Sequence, residues 1–366
     1  TGSGPGASND SNRVNLPDQV PILDDPTPVS RCVRMSWYED VPKVELHLHL
    51  EGAVPIEAQW ELMQKYGGDP DVPDLETLRG RFVFESFPQF LQTFRHFSGF
   101  IREPEDLRFI AAATARDLVR QNIVYAELIT SVPRHQLSGI PLGRAIEAVR
   151  QGLDEVPGIE VRLIPDLVRD YGAQTAMRTA VEVCELQEFG VAGITIGGDE
   201  AEHAAAQFAD AYEHVRRAGL NTSAHAGEGD GPASVWGALS LTPDRIGHGT
   251  RAVEDPALLE ELARRNVVIE MCPFSNLRTG VIERLEDHPA RRFVEAGIPV
   301  TVNTDDPTYF GNSLAMEYEA LERRLGFTRA EICLMIETAA DASWLPAERR
   351  AALVERLRGA PWWIGH

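Results

Sequence analysis

Short apolar runs recur along the chain from about residue 41 onward, separated by longer stretches of mixed polarity. Most runs are rich in branched apolar side chains, which is typical of buried β-strands. The eight runs cover residues 44–48, 124–129, 161–164, 192–196, 222–225, 245–248, 267–271 and 300–304. Because helical stretches alternate with them, the pattern predicts parallel βαβ units in an α/β fold. Eight such strands close a (β/α)8 barrel of the TIM type.

The intervals between the runs show the periodicity of amphipathic helices. Residues 106–123 place apolar side chains on one face, and residues 257–265 follow Pro256, a residue favoured in the first turn of a helix. Residues 313–358 predict helices that close the domain. The first interval is about twice as long as the others, which predicts extra helices over the mouth of the barrel, where the carboxyl ends of the strands lie.

The chain divides into two parts by composition. Residues 1–38 are rich in Pro, Gly, Asp and Ser and lack periodicity, which predicts a disordered or loosely packed N-terminal arm. Residues 39–366 are interpreted as a single barrel domain, because a barrel of this kind commonly fills about 250 residues or more as one unit.

Charge narrows the class of partner. The 366 residues include 35 basic and 56 acidic side chains, giving a net charge of −21, and 43% of them are hydrophobic. A chain of this composition can bury a large core, so global disorder is excluded. Its acidity argues against binding nucleic acid or an anionic membrane surface through a basic face. We therefore expect a neutral or cationic small molecule, or a metal, as partner, while the oligomeric state stays open.

Apolar run lengths and cysteines bear on location. No apolar run approaches 18 residues, so no transmembrane helix is predicted. The four cysteines lie far apart and form no CxxC pair, which indicates buried thiols rather than a disulfide framework. We expect a cytoplasmic protein.

Candidate chemistry collects at the ends of the predicted strands, where a (β/α)8 barrel carries its functional residues. The residues at these ends are His47, His49, His225, Glu228, His248, Asp305 and Asp306. In an HxH pair on a strand, both imidazoles project from the same face and can bind one metal ion. The other histidines are expected to be structural or exposed; they are His96, His135, His203, His214, His288 and His366.

Three histidines and one aspartate form a candidate metal site: His47, His49, His225 and Asp305. Three nitrogen ligands and one oxygen ligand suit Zn²⁺, with Fe²⁺, Mn²⁺ and Co²⁺ as weaker competitors. No lysine stands at a strand end to bridge two metals, so one ion per chain is expected. Glu228 and His248 remain as groups that handle protons, and Asp306 as an acceptor for a substrate donor.

Five ordered motifs resemble the adenosine/AMP deaminase family of metal-dependent hydrolases, most closely bacterial adenosine deaminase. The segments are residues 41–53, with Glu-Leu-His-Leu-His, then Ser-Ala-His-Ala-Gly-Glu at 223–228, Arg-Ile-Gly-His-Gly at 245–249, Cys-Pro-Phe-Ser-Asn at 272–276 and Asn-Thr-Asp-Asp-Pro at 303–307. The resemblance spans about residues 41–350. One HxH pair alone is weak, but five motifs in order are specific.

The resemblance implies one Zn²⁺ held by the four candidate ligands, with His49 also close to the substrate. It implies that Glu228 protonates purine N1 while a hydroxide attacks C6, and that His248 deprotonates or orients the attacking water. Asp306 is implied near N7, and the Gly198 backbone near N3. The implied reaction converts adenosine, or 2′-deoxyadenosine, to inosine and ammonia.

Glu51 departs from the family pattern, because adenosine deaminases commonly carry Asp there, facing the ribose 5′-hydroxyl. This leaves adenine, or an adenine nucleoside with a modified 5′ group such as aminodeoxyfutalosine, as alternative substrates. The aromatic segment 84–94 resembles a hydrophobic lid, with Phe87, Phe90, Leu91 and Phe94 covering the sugar side. A 5′-phosphate is disfavoured, because no arginine or lysine cluster is evident near the motifs. A non-catalytic nucleoside-binding protein on the same fold is the alternative of another class.

Overall fold

The computed structural model describes residues 36–84 and 87–364, apart from the side chains of Phe87 and Pro88. Each of the eight predicted runs contains a β-strand, and all pairings between strands are parallel. The strands are β1 Lys43–His49, β2 Ile123–Thr130, β3 Glu160–Pro165, β4 Gly193–Ile194, β5 Asn221–Ala226, β6 Arg245–His248, β7 Val268–Met271 and β8 Val300–Val302. The predicted fold class is confirmed.

Two sets of bridges close the strands into a barrel. Strands β1 to β3 pair in order, as do β4 to β8. Asp305, after β8, pairs with Leu48 of β1, and its carbonyl accepts a hydrogen bond from the His49 amide at 2.9 Å. On the other side, Leu163 pairs with Val191, just before β4. The pairing of Asp305 with Leu48 matters for the candidate site, because it brings Asp305 beside the two histidines of β1.

Helices surround the barrel and also fill the long interval after β1. They are α1 Trp37–Asp40, α2 Leu50–Ala53, α3 Ile56–Lys65, α4 Leu75–Gly80, α5 Phe87–Ser98, α6 Pro104–Arg120, α7 Val132–Leu137, α8 Leu142–Asp154, α9 Gly172–Val183, α10 Ala209–Arg217, α11 Pro232–Ser240, α12 Pro256–Arg265, α13 Pro273–Arg278, α14 Ala290–Glu295, α15 Pro307–Phe310, α16 Leu314–Leu325, α17 Arg329–Ala342 and α18 Ala347–Arg358. None of the described helices is long and apolar enough to cross a membrane.

Local sequence accounts for the ends of the crossover helices. Helix α6 begins with a capping box between Glu103 and Asp106, and its buried face carries the apolar residues expected from the periodicity. Helix α12 has Asp255 as its N-cap and Pro256 in the first turn, and it ends at Asn266 in the left-handed conformation. Strand β2 is buried along its whole length, as expected for a parallel strand covered by helices on one side and filled by side chains on the other.

The start of the packed region differs from the prediction by two residues. Trp37 and Tyr38 were assigned to the N-terminal arm, but both are buried in α1. The Trp37 indole donates to the carbonyl of Trp362, and the Tyr38 hydroxyl donates to Glu322 at 2.7 Å. Two large aromatic side chains with such partners belong to the core. Residues 1–35 of the predicted arm lie outside the described residues.

Candidate metal and catalytic site

The four predicted metal ligands meet at the carboxyl ends of the strands. The ligand atoms of His47, His49, His225 and Asp305 all lie within 4.8 Å of one another. Nε2 of His49 is 3.2 Å from Nε2 of His225 and 3.2 Å from Oδ1 of Asp305. A second possible ligand set, in which His248 and Cys272 accompany His47 and Asp305, shares two residues with the first. The described residues therefore offer one locus for a single ion.

The side-chain atoms at this locus are arranged as metal ligands rather than as a closed hydrogen-bond network. Nε2 of His47 is buried and has no hydrogen-bond partner among the described residues, while its Nδ1 faces the Glu270 carboxylate at 2.8 Å. A histidine ligand commonly donates one ring N–H to a carboxylate and turns the other nitrogen to the metal. Burial opposes ionisation of Asp305, yet electrostatic interactions with the neighbouring imidazoles of His47 and His49 hold its pKa well below the ordinary value, so it is a carboxylate.

The ligands are held by a second layer of side chains. Ser275 donates to Oδ2 of Asp305 at 2.7 Å, and the Thr195 hydroxyl lies 3.3 Å from Nδ1 of His225. Asp305 also has a backbone φ of 66°, in the left-handed region that costs energy for a side chain other than glycine. A strained backbone conformation persists where surrounding contacts hold it in place. Here the pairing of Asp305 with β1 holds it.

Glu228 and His248 stand side by side at the edge of the ligand cluster. Nε2 of His248 is 3.4 Å from Oε2 of Glu228 and 3.9 Å from Oδ2 of Asp305. Burial and the negative charge of Asp305 raise the pKa of Glu228 well above its ordinary value, which favours the protonated acid. Burial lowers the pKa of His248 to about 3, so its ring is neutral near pH 7. The amide group of Asn276 contacts Nδ1 of His248 at 3.2 Å and fixes the ring.

Glu200 was not among the predicted site residues, but it positions the loop that carries Glu228. Its carboxylate accepts backbone N–H groups from Gly227 at 2.8 Å, Glu228 at 3.1 Å and Gly229 at 3.0 Å. It also accepts the hydroxyl of Ser234. Nothing local in the sequence marks this role, because the acceptor and its donors are far apart in the chain.

Three of the four candidate ligands, His49, His225 and Asp305, line a cavity of about 280 Å³. Glu228, His248 and Asp306 line it, and Oδ1 of Asp306 is buried without a hydrogen-bond partner in the described structure. Gly198 also lines it with a φ of 99°, and a Cβ atom there would lie 2.1 Å from the Asp170 carboxylate. Only glycine therefore allows the backbone to form this part of the wall.

Helix α5 forms one side of the cavity with aromatic and aliphatic side chains. Phe90, Leu91 and Phe94 line it, together with Phe310 from the opposite wall. The ring centres of Phe90 and Phe310 are 5.1 Å apart. The side chain of Phe87, also predicted for this lid, lies outside the described residues.

Glu51 is buried and is not itself among the residues that line the cavity. Its Oε1 accepts a hydrogen bond from the Ser131 amide at 3.0 Å and contacts Nε2 of His135 at 2.8 Å. Burial acts to raise the pKa of Glu51, but the hydrogen bond and electrostatic interaction with His135 and the Ser131 amide together lower it below its ordinary value. Its Oε2 has no hydrogen-bond partner among the described residues. Contact between Glu51 and a substrate stays a prediction, and His135 is a structural partner that only the fold makes visible.

The premise that no arginine cluster lies near the site is wrong. Arg95 of α5 and Arg134 of α7 both line the cavity, and Arg134 donates to the main-chain carbonyl of Arg95. The two residues belong to different helices and to none of the five motifs, so their proximity could not be seen in the sequence.

Comparison with known proteins agrees with this geometry. The family model for adenosine deaminase matches residues 42–360. An adenine deaminase from Rhizobium leguminosarum bv. trifolii is 38% identical over 319 residues, which cover 86% of this chain and 98% of that protein. An aminodeoxyfutalosine deaminase from Streptomyces coelicolor is 35% identical over 323 residues, which cover 87% of this chain and 84% of that protein.

A solved structure extends the comparison to three dimensions. An amidohydrolase from Burkholderia ambifaria, determined with bound zinc, superimposes with a TM-score of 0.80 at 29% sequence identity. The match covers 89% of this chain and 90% of that one. With the barrel, the ligand cluster and the family match together, the chain belongs to the adenosine deaminase family of metal-dependent hydrolases.

Proposed function

We propose that this protein hydrolyses the bond between C6 and the amino group of an adenine-containing small molecule and releases ammonia. The observation that carries the proposal is the cluster of four candidate metal ligands, three of which line one cavity together with Glu228, His248 and Asp306. The family membership and the names of the relatives support deamination of this class of substrate.

Zinc is the metal we propose, one ion per chain. His47, His49, His225 and Asp305 would hold it, since three imidazoles and one carboxylate suit zinc, and the Burkholderia relative contains it. Bound there, zinc would supply an activated water at neutral pH. The unpartnered Nε2 of His47 and the ionised Asp305 are the features of this chain that fit such an ion.

The other side chains divide the work of moving protons and orienting the ring. Glu228 donates a proton to N1 of the purine, which makes C6 more electrophilic. His248 takes the proton of the attacking water at Nε2. Burial and the charge of Asp305 raise the pKa of Asp306 to about 8, so its protonated carboxyl group donates to N7 of the ring, and the Gly198 backbone N–H donates to N3. After the C6–O bond forms, the amino group takes the proton that His248 received from the water and leaves as ammonia when the C6–N bond breaks. The proton of the new C6 hydroxyl returns to Glu228, which leaves a 6-oxo purine.

The sequence analysis predicts adenosine as the substrate. We instead favour an adenine nucleoside with a modified sugar. The names of the relatives point to adenine and to aminodeoxyfutalosine. A purine whose C6 faces the metal ligands directs N9 away from them, toward the part of the cavity lined by α5. Free adenine would leave that part empty, so the cavity favours the nucleoside. Adenine is the second candidate because of the Rhizobium relative. The cytoplasmic location stays a prediction.

A substrate panel with a matched pair of variants tests the proposal. Zinc-loaded protein is offered adenine, adenosine and 5′-substituted adenosines, and ammonia release is followed with the loss of adenine absorbance. We expect turnover of at least one compound and a fall in kcat/KM of about 1000-fold in Glu228→Gln, within the range for loss of a general acid. The control Glu260→Gln changes an exposed carboxylate of α12 and should behave as wild type. Zinc content should be equal in all three proteins.

Two outcomes would contradict the proposal. Tight binding of a purine without release of ammonia from any compound would indicate a nucleoside-binding protein instead. Full activity in Glu228→Gln would remove Glu228 from the proposed mechanism. If adenosine were turned over at least as fast as every other compound, adenosine would be the substrate, as the sequence analysis predicts.

A further inference from the structure

Arg134 is a cationic side chain in the wall of the cavity that the proposed reaction does not use. It lies on α7, is half-buried and lines the cavity together with Arg95 of α5. Neither helix supplies a metal ligand. Arg95 belongs to α5 and Arg134 donates to its main-chain carbonyl, so both lie at the α5 side of the cavity, toward which we place N9 of a bound purine.

Among the described residues, no acidic side chain pairs with Arg134. No carboxylate of the described residues lies within 4.0 Å of its guanidinium group, and its Nε is buried without a hydrogen-bond partner among them. Enclosing a cation without a counter-charge costs free energy, which a bound anion would recover.

Arg95 adds a second guanidinium whose own partner is distant. It stands 3.9 Å from the carboxylate of Asp170, and 60% of its side chain is exposed to solvent. An ion pair this long and exposed contributes little, so Arg95 can turn toward a ligand at small cost. Planar guanidinium groups bind carboxylate and phosphate oxygens through paired N–H donors.

We propose that Arg134, assisted by Arg95, binds an anionic group, a carboxylate or a phosphate, at the end of the substrate remote from the purine. The inference rests on the proposed deamination and names its substrate class as an adenine nucleoside with an anionic 5′ extension. Phe90, Leu91, Phe94 and Phe310 line the space in which an apolar linker would lie. Their low polarity strengthens a charge pair formed beside them.

A carboxylic acid and its methyl ester test the proposal as a matched pair. The zinc-loaded enzyme is given 5′-deoxy-5′-(2-carboxyethylthio)adenosine, its methyl ester, and adenosine 5′-monophosphate. We expect kcat/KM for the acid to exceed that for the ester by about 10-fold or more, mainly through KM, as for a hydrogen bond to a charged group. Preference for the monophosphate over adenosine instead would identify a phosphate as the anion.

Substitutions assign the preference to the arginines. Arg134→Gln should reduce the acid-to-ester ratio by about 10-fold, and Arg134→Lys should restore part of it. Arg178→Gln removes an exposed charge on α9 and should keep the wild-type ratio. Zinc content and turnover of the ester report whether each variant is folded.

Equal kcat/KM values for acid and ester, with adenosine and its monophosphate also equal, would overturn the proposal, as would a full preference in Arg134→Gln. Turnover of the ester without such a preference would leave the deaminase function intact. If no compound were deaminated, calorimetric binding of acid and ester to the zinc-loaded protein would still decide the anion site. Equal affinities in that measurement would reject it.

Discussion

Buried charged groups at the two ends of the barrel differ in whether the protein supplies their hydrogen-bond partners. At the amino end of β6, Arg245 is fully buried and donates to Glu270 at 2.5 Å, to the carbonyl of Ala342 at 2.7 Å, and to Glu127. At the amino end of β1, the ammonium of Lys43 donates to three main-chain carbonyls at 2.7 to 2.9 Å. At the carboxyl ends, the buried atoms without a hydrogen-bond partner within the described structure include Nε2 of His47, Oε2 of Glu51, Nε2 of His248 and Oδ1 of Asp306.

The difference separates groups that stabilise the fold from groups that await a ligand. A buried polar atom without a partner costs about 1–3 kcal/mol, so a structure retains several of them in one place only where function requires it. At the amino ends, Arg245 and Lys43 have partners supplied by the chain, although Oδ2 of Asp40 and Oγ1 of Thr222 do not. A missing partner therefore indicates function only where, as with His47, His248 and Asp306, several such atoms surround one candidate metal site.

The largest effect on stability is expected from breaking the paired end. Arg245→Met leaves Glu127 and Glu270 buried without their cation, so the free energy of unfolding should fall by about 3–5 kcal/mol. Denaturant unfolding of the metal-free protein measures this, with Arg178→Met as the exposed control. A loss below about 1 kcal/mol would show that the amino-end network does not stabilise the fold as its geometry implies.

A smaller effect is expected where the two ends meet. Glu270 contacts Arg245 through one oxygen and Nδ1 of His47 through the other. Glu270→Gln keeps the shape but removes the charge, so zinc affinity should fall by about 10–100-fold, as for other second-layer partners of metal ligands. Competition with a chelator measures it, and Glu260→Gln should bind zinc as wild type does. Unchanged affinity would mean that the two ends are independent.

The smallest effect concerns Lys43 and pH. Burial lowers the pKa of Lys43 from 10.5 to about 7. Between these values the folded state binds fewer protons than the unfolded state, so stability should rise with pH in this window. The slope cannot exceed about 1.4 kcal/mol per pH unit for one proton. The measurement is the unfolding free energy of the wild type minus that of Lys43→Met. This difference should increase between pH 7 and 10.5, and a difference that does not change with pH would contradict the prediction.

Periodicity and motif order determined most of the architecture. Every predicted strand appears, and the helix predicted at 257–265 runs from Pro256 to Arg265. The reason is local: side-chain alternation, proline positions and caps act over a few residues. The same holds for the metal ligands, because each lies at a strand end and all such ends meet at one face of a barrel. The start of the core was misplaced, since what holds Trp37 and Tyr38 is contact with residues near the other end of the chain.

The tertiary structure alone decided which side chains support and extend the site. Glu200 beneath the Glu228 loop, His135 against Glu51, and the pair Arg95 and Arg134 have no local signature. Their roles follow from the closure of the barrel and the placement of α5 and α7, which bring together groups distant in sequence. The sequence thus determined the fold and the reaction class. Substrate recognition depends on side chains that only folding brings into contact. Whether a side chain has a hydrogen-bond partner is decided by residues that are distant in the sequence.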